Sequence, residues 1–274
     1  MNQEKQHNAI LITGANGGLG SGLIKISAQI PGIDMIVATD IDERIADRYR
    51  GNNRVLGYRM DVSSEDSIRE IKHQLEKKSI RVKYLINNAG VNAFFPVTES
   101  TETLLDKILK VNLYGQILTV SVFLEDLIAT KGRVIQISSD SVRLPIPFHP
   151  YPASKISMEA FSISMRRELK LFGVDLVLIR PGAIQTNFLE EMKNIRNGVE
   201  NSKFKVYFEN FTVLAKKNIG KRSEPSQVAK LVLKVIKEKN PKLVYSINKN
   251  RKISFFELFP IRLKDKLITK SISD

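Results

Sequence analysis

The chain has 274 residues with no cysteine, 42% hydrophobic and 26% charged residues, and 43 Lys and Arg against 29 Asp and Glu, for a formal charge of +14. This globular composition excludes disulfide frameworks and cysteine nucleophiles, and three scattered histidines do not suggest a site for a metal, so none is expected. Because the polar N-terminus lacks a signal-peptide core and no apolar run reaches the length of a membrane span, the expected location is cytoplasmic.

Strand-like and helix-like patterns alternate along the chain. The predicted strands are 8–13, 33–39, 54–60, 83–86, 132–137, 174–179 and 243–247, and the predicted helices are 19–30, 63–78, 101–129, 152–172 and 225–239. Such alternation, with strands that are almost continuously Val, Ile and Leu, is typical of an α/β doubly wound parallel sheet of the Rossmann type. We expect one domain over 1–248, with helices on both faces and ligands at the carboxyl ends of the strands.

Two segments depart from this alternation, and both are basic. An irregular, polar insertion is predicted at about 187–222, and an amphipathic tail at 249–274. Residues 1–190 carry 23 basic and 21 acidic side chains, whereas 191–274 carry 20 and 8. Such a surface can attract an anionic membrane, nucleic acid or an acidic substrate, or merely keep the protein soluble.

The tail itself leaves two interpretations. It can make a weak peripheral membrane contact as an amphipathic element, or pack against its own domain or a sister subunit, which we favour. No helix-turn-helix, zinc finger or RNA-binding aromatic motif occurs in the sequence, so we expect no nucleic-acid partner.

A glycine-rich turn separates the first predicted strand from the first predicted helix. Gly14, Gly18 and Gly20 let the backbone approach a pyrophosphate, which the helix N-terminus stabilises, and the same turn contains Asn16 and Leu19. A plain tight turn needs only one of these glycines. The segment therefore predicts nucleotide binding.

Asp40 ends the second predicted strand. A carboxylate at that position can accept both adenosine ribose hydroxyls and repel a 2′-phosphate, and neither Asn16 nor Ile41 is basic, which favours NAD over NADP. The alternative is a solvated acid at a strand end. Asp61 and Val62, after the third strand, can flank an adenine ring, although Asp61 is also a typical helix-start residue.

Tyr151 and Lys155 lie four residues apart at the start of a predicted helix, so their side chains can share one face. A free phenol has a pKa near ~10, and a neighbouring ammonium lowers it by favouring the phenolate. Tyr151 can then remove a hydroxyl proton as hydride leaves the carbon. Alone, this pair is common on solvated helices.

Further motifs accompany the pair in a fixed order. They are Asn88-Ala89-Gly90, Asn112, Ser138-Ser139 and the segment from Pro181 to Thr186. Together with the glycine turn, Asp40, Asp61-Val62, Tyr151 and Lys155, they resemble the short-chain dehydrogenase/reductase family over about 8–248. The resemblance implies a Rossmann-type NAD(P)(H) oxidoreductase that acts on alcohols and carbonyls without a metal.

The resemblance also implies a role for each matching residue. Tyr151 is the expected general acid/base, Lys155 lowers its pKa and contacts the nicotinamide ribose, Ser139 binds the substrate oxygen, and Asn112 holds a water that links Lys155 to solvent. The expected cofactor contacts near the nicotinamide are Asn88, Ala89, Gly90, Pro181, Gly182, Ile184 and Thr186. Alternatives stay open: Ser138 can exchange roles with Ser139, Asn112 can satisfy a helix kink, and Thr186 can be a cap.

The segments 142–148 and 255–263 resemble, more loosely, the hydroxysteroid and retinol dehydrogenase branch of that family. This implies a bulky apolar alcohol or carbonyl substrate, such as a steroid, a retinoid or a lipid. Eight aromatic residues are candidates for an apolar pocket under a mobile lid: Phe94, Phe95, Phe148, Phe188, Phe204, Tyr207, Phe208 and Phe211.

Two other functions remain as alternatives. One is a non-catalytic dinucleotide sensor or scaffold, and the other is a dehydrogenase of small polar alcohols or sugars. The complete set Asn112, Ser139, Tyr151 and Lys155 favours an NAD-dependent enzyme. Family members commonly associate through the helices that correspond to 101–129 and 152–172, so a homodimer or homotetramer is expected.

Overall fold

In the computed structural model, residues 5–184, 199–218 and 222–273 are described. They form one sheet of seven parallel strands in the order β3-β2-β1-β4-β5-β6-β7. The strands are β1 (His7–Thr13), β2 (Met35–Asp40), β3 (Val55–Arg59), β4 (Ile80–Asn87), β5 (Arg133–Ile137), β6 (Asp175–Pro181) and β7 (Val244–Ile247). The strand order reverses between β1 and β4, which opens a crevice at the carboxyl ends of these strands.

Helices cover both faces of the sheet. In chain order they are α1 (Gly18–Ser27), α2 (Arg44–Arg48), α3 (Glu65–Glu76), α4 (Glu102–Leu109), α5 (Gly115–Val122), α6 (Leu124–Thr130), α7 (Tyr151–Leu171), α8 (Lys205–Asn218), α9 (Pro225–Lys237), α10 (Arg251–Phe256) and α11 (Ile261–Ser273). The predicted doubly wound α/β fold in a single domain is confirmed.

Each face of the sheet has its own hydrophobic core, and β1 contributes alternate residues to the two. Ile10 and Ile12 pack with α1 and α9, whereas Ala9 and Leu11 pack with α3, α5, α6 and α7. All four side chains are completely buried. Because both faces of the strands are covered, the strands need apolar residues at every position, which explains the continuous Val/Ile/Leu runs.

The single long helix predicted for 101–129 is wrong. The segment divides into α4, a π-helical turn at Lys110–Tyr114, α5 and α6, with a bend of 55° between Val122 and Leu124. The extra residue of the π turn rotates Asn112 into the interior, and fully buried Phe123 occupies the bend, where it packs into the core. Among the described helices, none alone is long and apolar enough to cross a membrane, and this bent pair passes that test on length and composition.

The irregular insertion predicted at 187–222 contains a regular helix, α8. Phe204, Phe208, Phe211 and Ala215 recur at helical spacing and pack against Phe94, Phe148 and Ile272. The mainly polar composition of the insertion hides this short apolar stripe. The amphipathic tail consists of two helices, α10 and α11, separated by a turn that ends at Pro260, which cannot continue a helix.

Candidate active site

The glycine turn after β1 brings backbone atoms into very close contact. Gly14 has φ +64°, and a Cβ at Gly20 would lie 2.2 Å from the Gly14 carbonyl oxygen. Only glycine at these two positions allows α1 to begin directly after the turn, at Gly18. Leu19 is buried there and lines the adjoining cavity.

The N-terminus of α1 is open to an anion. Gly17 caps the helix without a side-chain hydrogen bond, and the first turn contains no acidic residue. The free N–H groups and the helix dipole at this end suit a pyrophosphate. A glycine-rich turn, followed by a helix whose N-terminus no side chain caps, fits a dinucleotide.

A second loop, after β4, is fastened to this turn. The side chain of Asn88 donates hydrogen bonds to the carbonyl oxygens of Thr13 and Gly14, both at 2.9 Å, and the hydroxyl of Thr13 accepts from the backbone N–H groups of Asn88 (3.0 Å) and Ala89 (2.9 Å). Asn88 and Ala89 therefore shape the crevice between β1 and β4 through backbone and amide contacts.

Asp40 sits beside the glycine turn, as its position at the end of β2 predicts. One carboxylate oxygen accepts from the backbone N–H of Asn16 at 2.9 Å, and the other from that of Asp42 at 3.1 Å. These bonds fix the carboxylate at the edge of the turn, and each oxygen keeps a further lone pair for another donor.

A cation stands close to this edge, contrary to the interpretation of the sequence. Arg48, on α2, donates from its guanidinium to the side-chain oxygen of Asn16 at 3.1 Å. The two other arginines in and beside α2 are paired with acids, Arg44 with Asp42 and Arg50 with Asp47. The short helix α2, which the sequence pattern did not predict, is what carries Arg48 to the turn.

Asp61 and Val62 occupy the adjacent strand end. The Asp61 carboxylate accepts from the backbone N–H (2.9 Å) and the hydroxyl (2.6 Å) of Ser63, in the turn before α3. The cap of α3 is Ser64, so Asp61 does not take the helix-start role considered as its alternative. Val62 is buried against Gly115, where a Cβ would come within 2.7 Å of the Val62 carbonyl oxygen.

Tyr151 is the first residue of α7, one residue earlier than predicted. Its phenol meets the hydroxyl of Ser139, which follows β5, and this hydrogen-bond partner acts to lower the phenol's pKa. The ammonium of Lys155 lies 5.8 Å from the centre of the Tyr151 ring and donates to the Ile137 carbonyl oxygen at 2.8 Å. The structure thus brings Ser139, Tyr151 and Lys155 together.

The two adjacent serines have different partners. Ser138, which is buried, donates its hydroxyl proton to the carboxylate of Glu159, and Arg180 pairs with the same carboxylate. Ser139 instead accepts from the Ser141 hydroxyl at 2.9 Å and faces Tyr151. Only Ser139 is therefore positioned to act next to the phenol.

Burial controls the protonation of Tyr151 and Lys155. It raises the pKa of Tyr151 to about 12, against the smaller effect of Ser139, and it lowers the pKa of Lys155 to about 8, against the negative charge of Glu159. The net shift of the Tyr151 pKa in this arrangement is therefore upward, whereas the sequence pattern predicts a lowering by Lys155. At neutral pH the phenol is neutral and the lysine is largely an ammonium.

Asn112 is completely buried in the π-helical turn, and its side-chain amide forms hydrogen bonds with other protein groups. Its oxygen accepts from the backbone N–H of Val91 at 2.8 Å, and its nitrogen donates to the Val91 carbonyl (2.8 Å) and the Ser154 hydroxyl (3.0 Å). A Cβ at Gly90 would lie 3.2 Å from the Asn112 oxygen and 3.6 Å from the Lys155 nitrogen. Asn112 therefore ties the loop of Gly90 to α7 close to Lys155.

The last predicted contacts come from the end of β6. Pro181, Gly182 and Ile184 line the cavity beside the serines, and a Cβ at Gly182 would overlap the Asn248 carbonyl, at 1.9 Å. Ile184 also pairs with Ser223 in a parallel bridge. Thr186 lies outside the described residues.

A cavity of about 570 Å³ opens beside Tyr151 and Ser139, and its wall is mainly apolar. Of the eight aromatic candidates, Phe94 and Phe211 line it, while Phe148, Phe204 and Phe208 pack behind them in one aromatic cluster. Phe95 is buried outside the lining, Tyr207 is exposed on α8, and Phe188 lies outside the described residues. The cavity has the size and chemistry of a small-molecule site.

His149 is a lining residue that the sequence motifs did not indicate. Its ring stacks between Phe94, at 4.3 Å between ring centres, and Tyr151, at 5.6 Å. Burial lowers its pKa to about 3, so the imidazole is neutral at physiological pH. It therefore serves as part of the wall rather than as a charged group.

The tail closes one side of this cavity and is fastened to the turn that follows Ser139. Arg143 pairs with Asp140 and Glu257 and donates to the Ser254 hydroxyl at 2.9 Å. Asp140 accepts from the backbone N–H of Asn250 at 2.9 Å. The hydrogen bond with Glu257 raises the pKa of Arg143, so the Arg143 guanidinium that holds the tail stays charged at any physiological pH.

Sequence reasoning missed four charged or hydrogen-bonding residues of the site. Glu159 could have been found, because it lies one helical turn after Lys155 and thus on the same face of α7. Arg180 and Arg48 gave no local signal, since their partners are distant in sequence. Arg143 has one near partner, Asp140, but its contacts with the tail at Ser254 and Glu257 are distant in sequence.

Comparison with known proteins relates this chain to dehydrogenases and reductases. A family model described as short chain dehydrogenase matches residues 8–197. The NADPH-dependent 1-acyldihydroxyacetone phosphate reductase of Schizosaccharomyces pombe is 32% identical over 180 residues, covering 65% of this chain and 60% of that protein. Estradiol 17-beta-dehydrogenase 2 of Rattus norvegicus is 32% identical over 189 residues, covering 66% and 49%. The chain thus spans only about half to three-fifths of the length of these two relatives.

Solved structures show the same fold. A short chain dehydrogenase/reductase from Burkholderia phymatum, in complex with NAD, has a TM-score of 0.75 at 22% sequence identity, covering 96% of this chain and 95% of that chain. At this identity the likeness concerns the fold.

Proposed function

Because the chain belongs to the short-chain dehydrogenase family, we propose that it transfers hydride between NAD(H) and a bulky apolar alcohol or ketone, with Tyr151 as the general acid/base. Membership of this family supports an oxidoreductase that uses a nicotinamide dinucleotide as its cofactor. One observation carries the finer proposal: the phenol of Tyr151, with Ser139 beside it, faces a mainly apolar cavity of about 570 Å³.

The protein's own side chains can donate the proton to the substrate oxygen or remove it. The nicotinamide, when bound, supplies or accepts the hydride. Ser139 orients the substrate oxygen toward Tyr151, and the neutral phenol donates its proton to that oxygen in the reductive direction. In the oxidative direction the phenol must first ionise, which the nearby Lys155 ammonium favours once the substrate is in place.

Asp40 supports NAD as the cofactor. Its carboxylate is held at the edge of the glycine turn, where it can accept ribose hydroxyls and where its charge opposes a 2′-phosphate. Arg48, 3.1 Å from Asn16, acts in the other direction and reduces this preference. Both cofactors occur among similar proteins, since one relative is NADPH-dependent by name and one similar structure contains NAD. We therefore expect the balance between Asp40 and Arg48 to decide which cofactor this chain binds.

We further propose a homodimer or homotetramer that uses the outer faces of α4, α5 and α7. Large apolar side chains are exposed along these segments: Leu104 of α4 is 41% exposed, Tyr114 of the π-helical turn before α5 is 49% exposed, and Phe161 of α7 is 52% exposed. Size-exclusion chromatography with light scattering tests this point directly.

A substrate panel tests the proposed activity. Absorbance of the reduced nicotinamide is followed while the purified protein is offered NADH or NADPH with steroid, retinoid, long-chain and short polar carbonyls. Turnover with NADH on the apolar carbonyls supports the proposal, and turnover confined to short polar compounds contradicts the substrate class.

A further inference from the structure

The end of α10, the turn after it and the start of α11 each expose one large apolar side chain. The exposed fractions are 59% for Phe255, 77% for Leu258 and 69% for Ile261. Phe259 organises the turn, because its ring contacts those of Phe255 at 5.0 Å and Phe256 at 5.8 Å. We name Phe255, Leu258 and Ile261 the apolar tip.

Basic residues dominate the segment that carries the apolar tip. Residues 249–273 contain seven basic and two acidic side chains, and the basic ones are Lys249, Arg251, Lys252, Arg262, Lys264, Lys266 and Lys270. One of the two acids, Glu257, is already paired with Arg143. Lys249 and Lys264 lie near enough to Glu257 to lower its pKa, after the larger effect of Arg143, so positive charge is concentrated at the tip.

The same two helices have a second apolar face. Ile253 and Phe256 of α10 and Ile268 and Ile272 of α11 line the cavity beside Tyr151. One face of the segment therefore packs inward on the cavity, while the apolar tip points to solvent. Packing against the chain's own domain accounts for the first face only.

We propose that the apolar tip docks on an anionic lipid bilayer, with the tip residues entering the interface and the surrounding basic residues contacting the headgroups. Charge selects this occupant over a second copy of the chain, because two such basic surfaces repel one another. The docking does not depend on the proposed function. If that function also holds, the bilayer is the phase from which apolar substrates reach the cavity.

Vesicle co-sedimentation tests the docking without any turnover assay. The full chain is mixed with vesicles of phosphatidylcholine containing about one-third phosphatidylserine, and with vesicles of phosphatidylcholine alone. We expect binding to the anionic vesicles that weakens as salt is added. Lys249→Gln and Lys264→Gln each lower the partition coefficient by about fivefold, whereas Lys77→Gln, at an exposed position at the end of α3, leaves it unchanged.

A matched pair of apolar variants tests the tip itself. The double variant Leu258→Ser/Ile261→Ser lowers binding by more than about tenfold, because it removes the side chains that enter the interface. Leu171→Ser is the control, since Leu171 is 83% exposed and ends α7, a helix of 21 residues that begins at the catalytic site. This control retains vesicle binding.

Three results overturn the proposal. They are no binding to anionic vesicles, equal binding of the double variant and the native chain, and a double variant that dissociates an oligomer while its vesicle binding persists. The last result, seen by size-exclusion chromatography, identifies the tip as a subunit contact.

Discussion

Ser138 donates its hydroxyl proton to Glu159 inside the core, and this bond leaves the neighbouring Ser139 as the serine that faces Tyr151. Glu159 is itself held by Arg180 on β6. The network joins the end of β5 to β6 and α7, so the two serines have separable partners: Ser138 bonds a buried carboxylate, and Ser139 lies beside the phenol of Tyr151.

Serine substitutions test this separation. Ser139→Ala removes a hydrogen-bond partner of the substrate oxygen, and we expect kcat to fall by about 10²-fold or more. Ser138→Ala leaves the Glu159 carboxylate paired with Arg180, so kcat changes by only a few fold while the protein loses about 1–3 kcal/mol of stability. Steady-state kinetics and chemical denaturation check both values, and the reverse order of effects on kcat would exchange the two assignments.

The pH dependence follows from Lys155. Burial lowers its pKa to about 8, and the charge of Glu159 opposes this. The ammonium form therefore predominates below about pH 8 and is lost above it, so kcat/KM for carbonyl reduction falls as the pH rises through that value.

Glu159→Gln removes the opposing charge, and the alkaline decline moves to lower pH. Glu168→Gln, at an exposed position on the same helix, is the control and leaves the profile in place. A profile that is the same in all three proteins contradicts the role given to Glu159. Circular dichroism establishes that each variant is folded.

Asp40 and Arg48 oppose each other in cofactor selection. Asp40→Asn removes the charge that repels a 2′-phosphate, and the affinity for NADPH rises by about tenfold. Arg48→Gln removes the nearby cation, and the affinity for NADPH falls by a similar factor while that for NADH stays within about twofold. Fluorescence titration measures each dissociation constant.

Arg50→Gln is the matched control for Arg48, because Arg50 is paired with Asp47 rather than with the glycine turn. The interpretation fails if the native chain prefers NADPH and Asp40→Asn leaves both affinities unchanged.

Gly20 and Gly22 of α1 differ in what an added methyl group meets. A Cβ at Gly20 would lie 2.2 Å from the Gly14 carbonyl oxygen, so Gly20→Ala must displace the turn and costs at least about 1–3 kcal/mol together with cofactor binding. A Cβ at Gly22 meets Pro225 at an ordinary 3.5 Å, so Gly22→Ala is neutral or stabilising by up to about 1 kcal/mol. Thermal unfolding and cofactor titration compare them, and equal behaviour of the two variants would contradict the close packing at Gly20.

The sequence predicts the sheet well because the strands carry their own signal. β1 needs apolar residues at every position between two cores, and its run from Asn8 to Thr13 shows this directly. The helix pattern fails where a local feature depends on tertiary contacts. The π turn around Asn112 exists because its amide bonds Val91, and α8 exists because Phe208 and Phe211 reach the aromatic cluster.

The residues of the site fall into the same two groups, those with a local sequence signal and those that depend on tertiary contacts. The glycine turn, Asp40, Tyr151 and Lys155 stand in recognisable local patterns, and the structure places them along one edge of the sheet. Arg48 and Arg180 act through partners more than 20 residues away, so no window of sequence reveals them. The direction of the Tyr151 pKa shift also depends on burial, which only the folded chain defines.

The measurement that tests the central claim most directly is the turnover of Tyr151→Phe alongside its affinity for NADH. The account predicts that kcat for the best carbonyl of the panel falls by about 10²–10⁴-fold, while NADH binds within a few fold of the native value because the glycine turn and Asp40 are intact. A variant that keeps most of its kcat would contradict the role of Tyr151 as the proton donor.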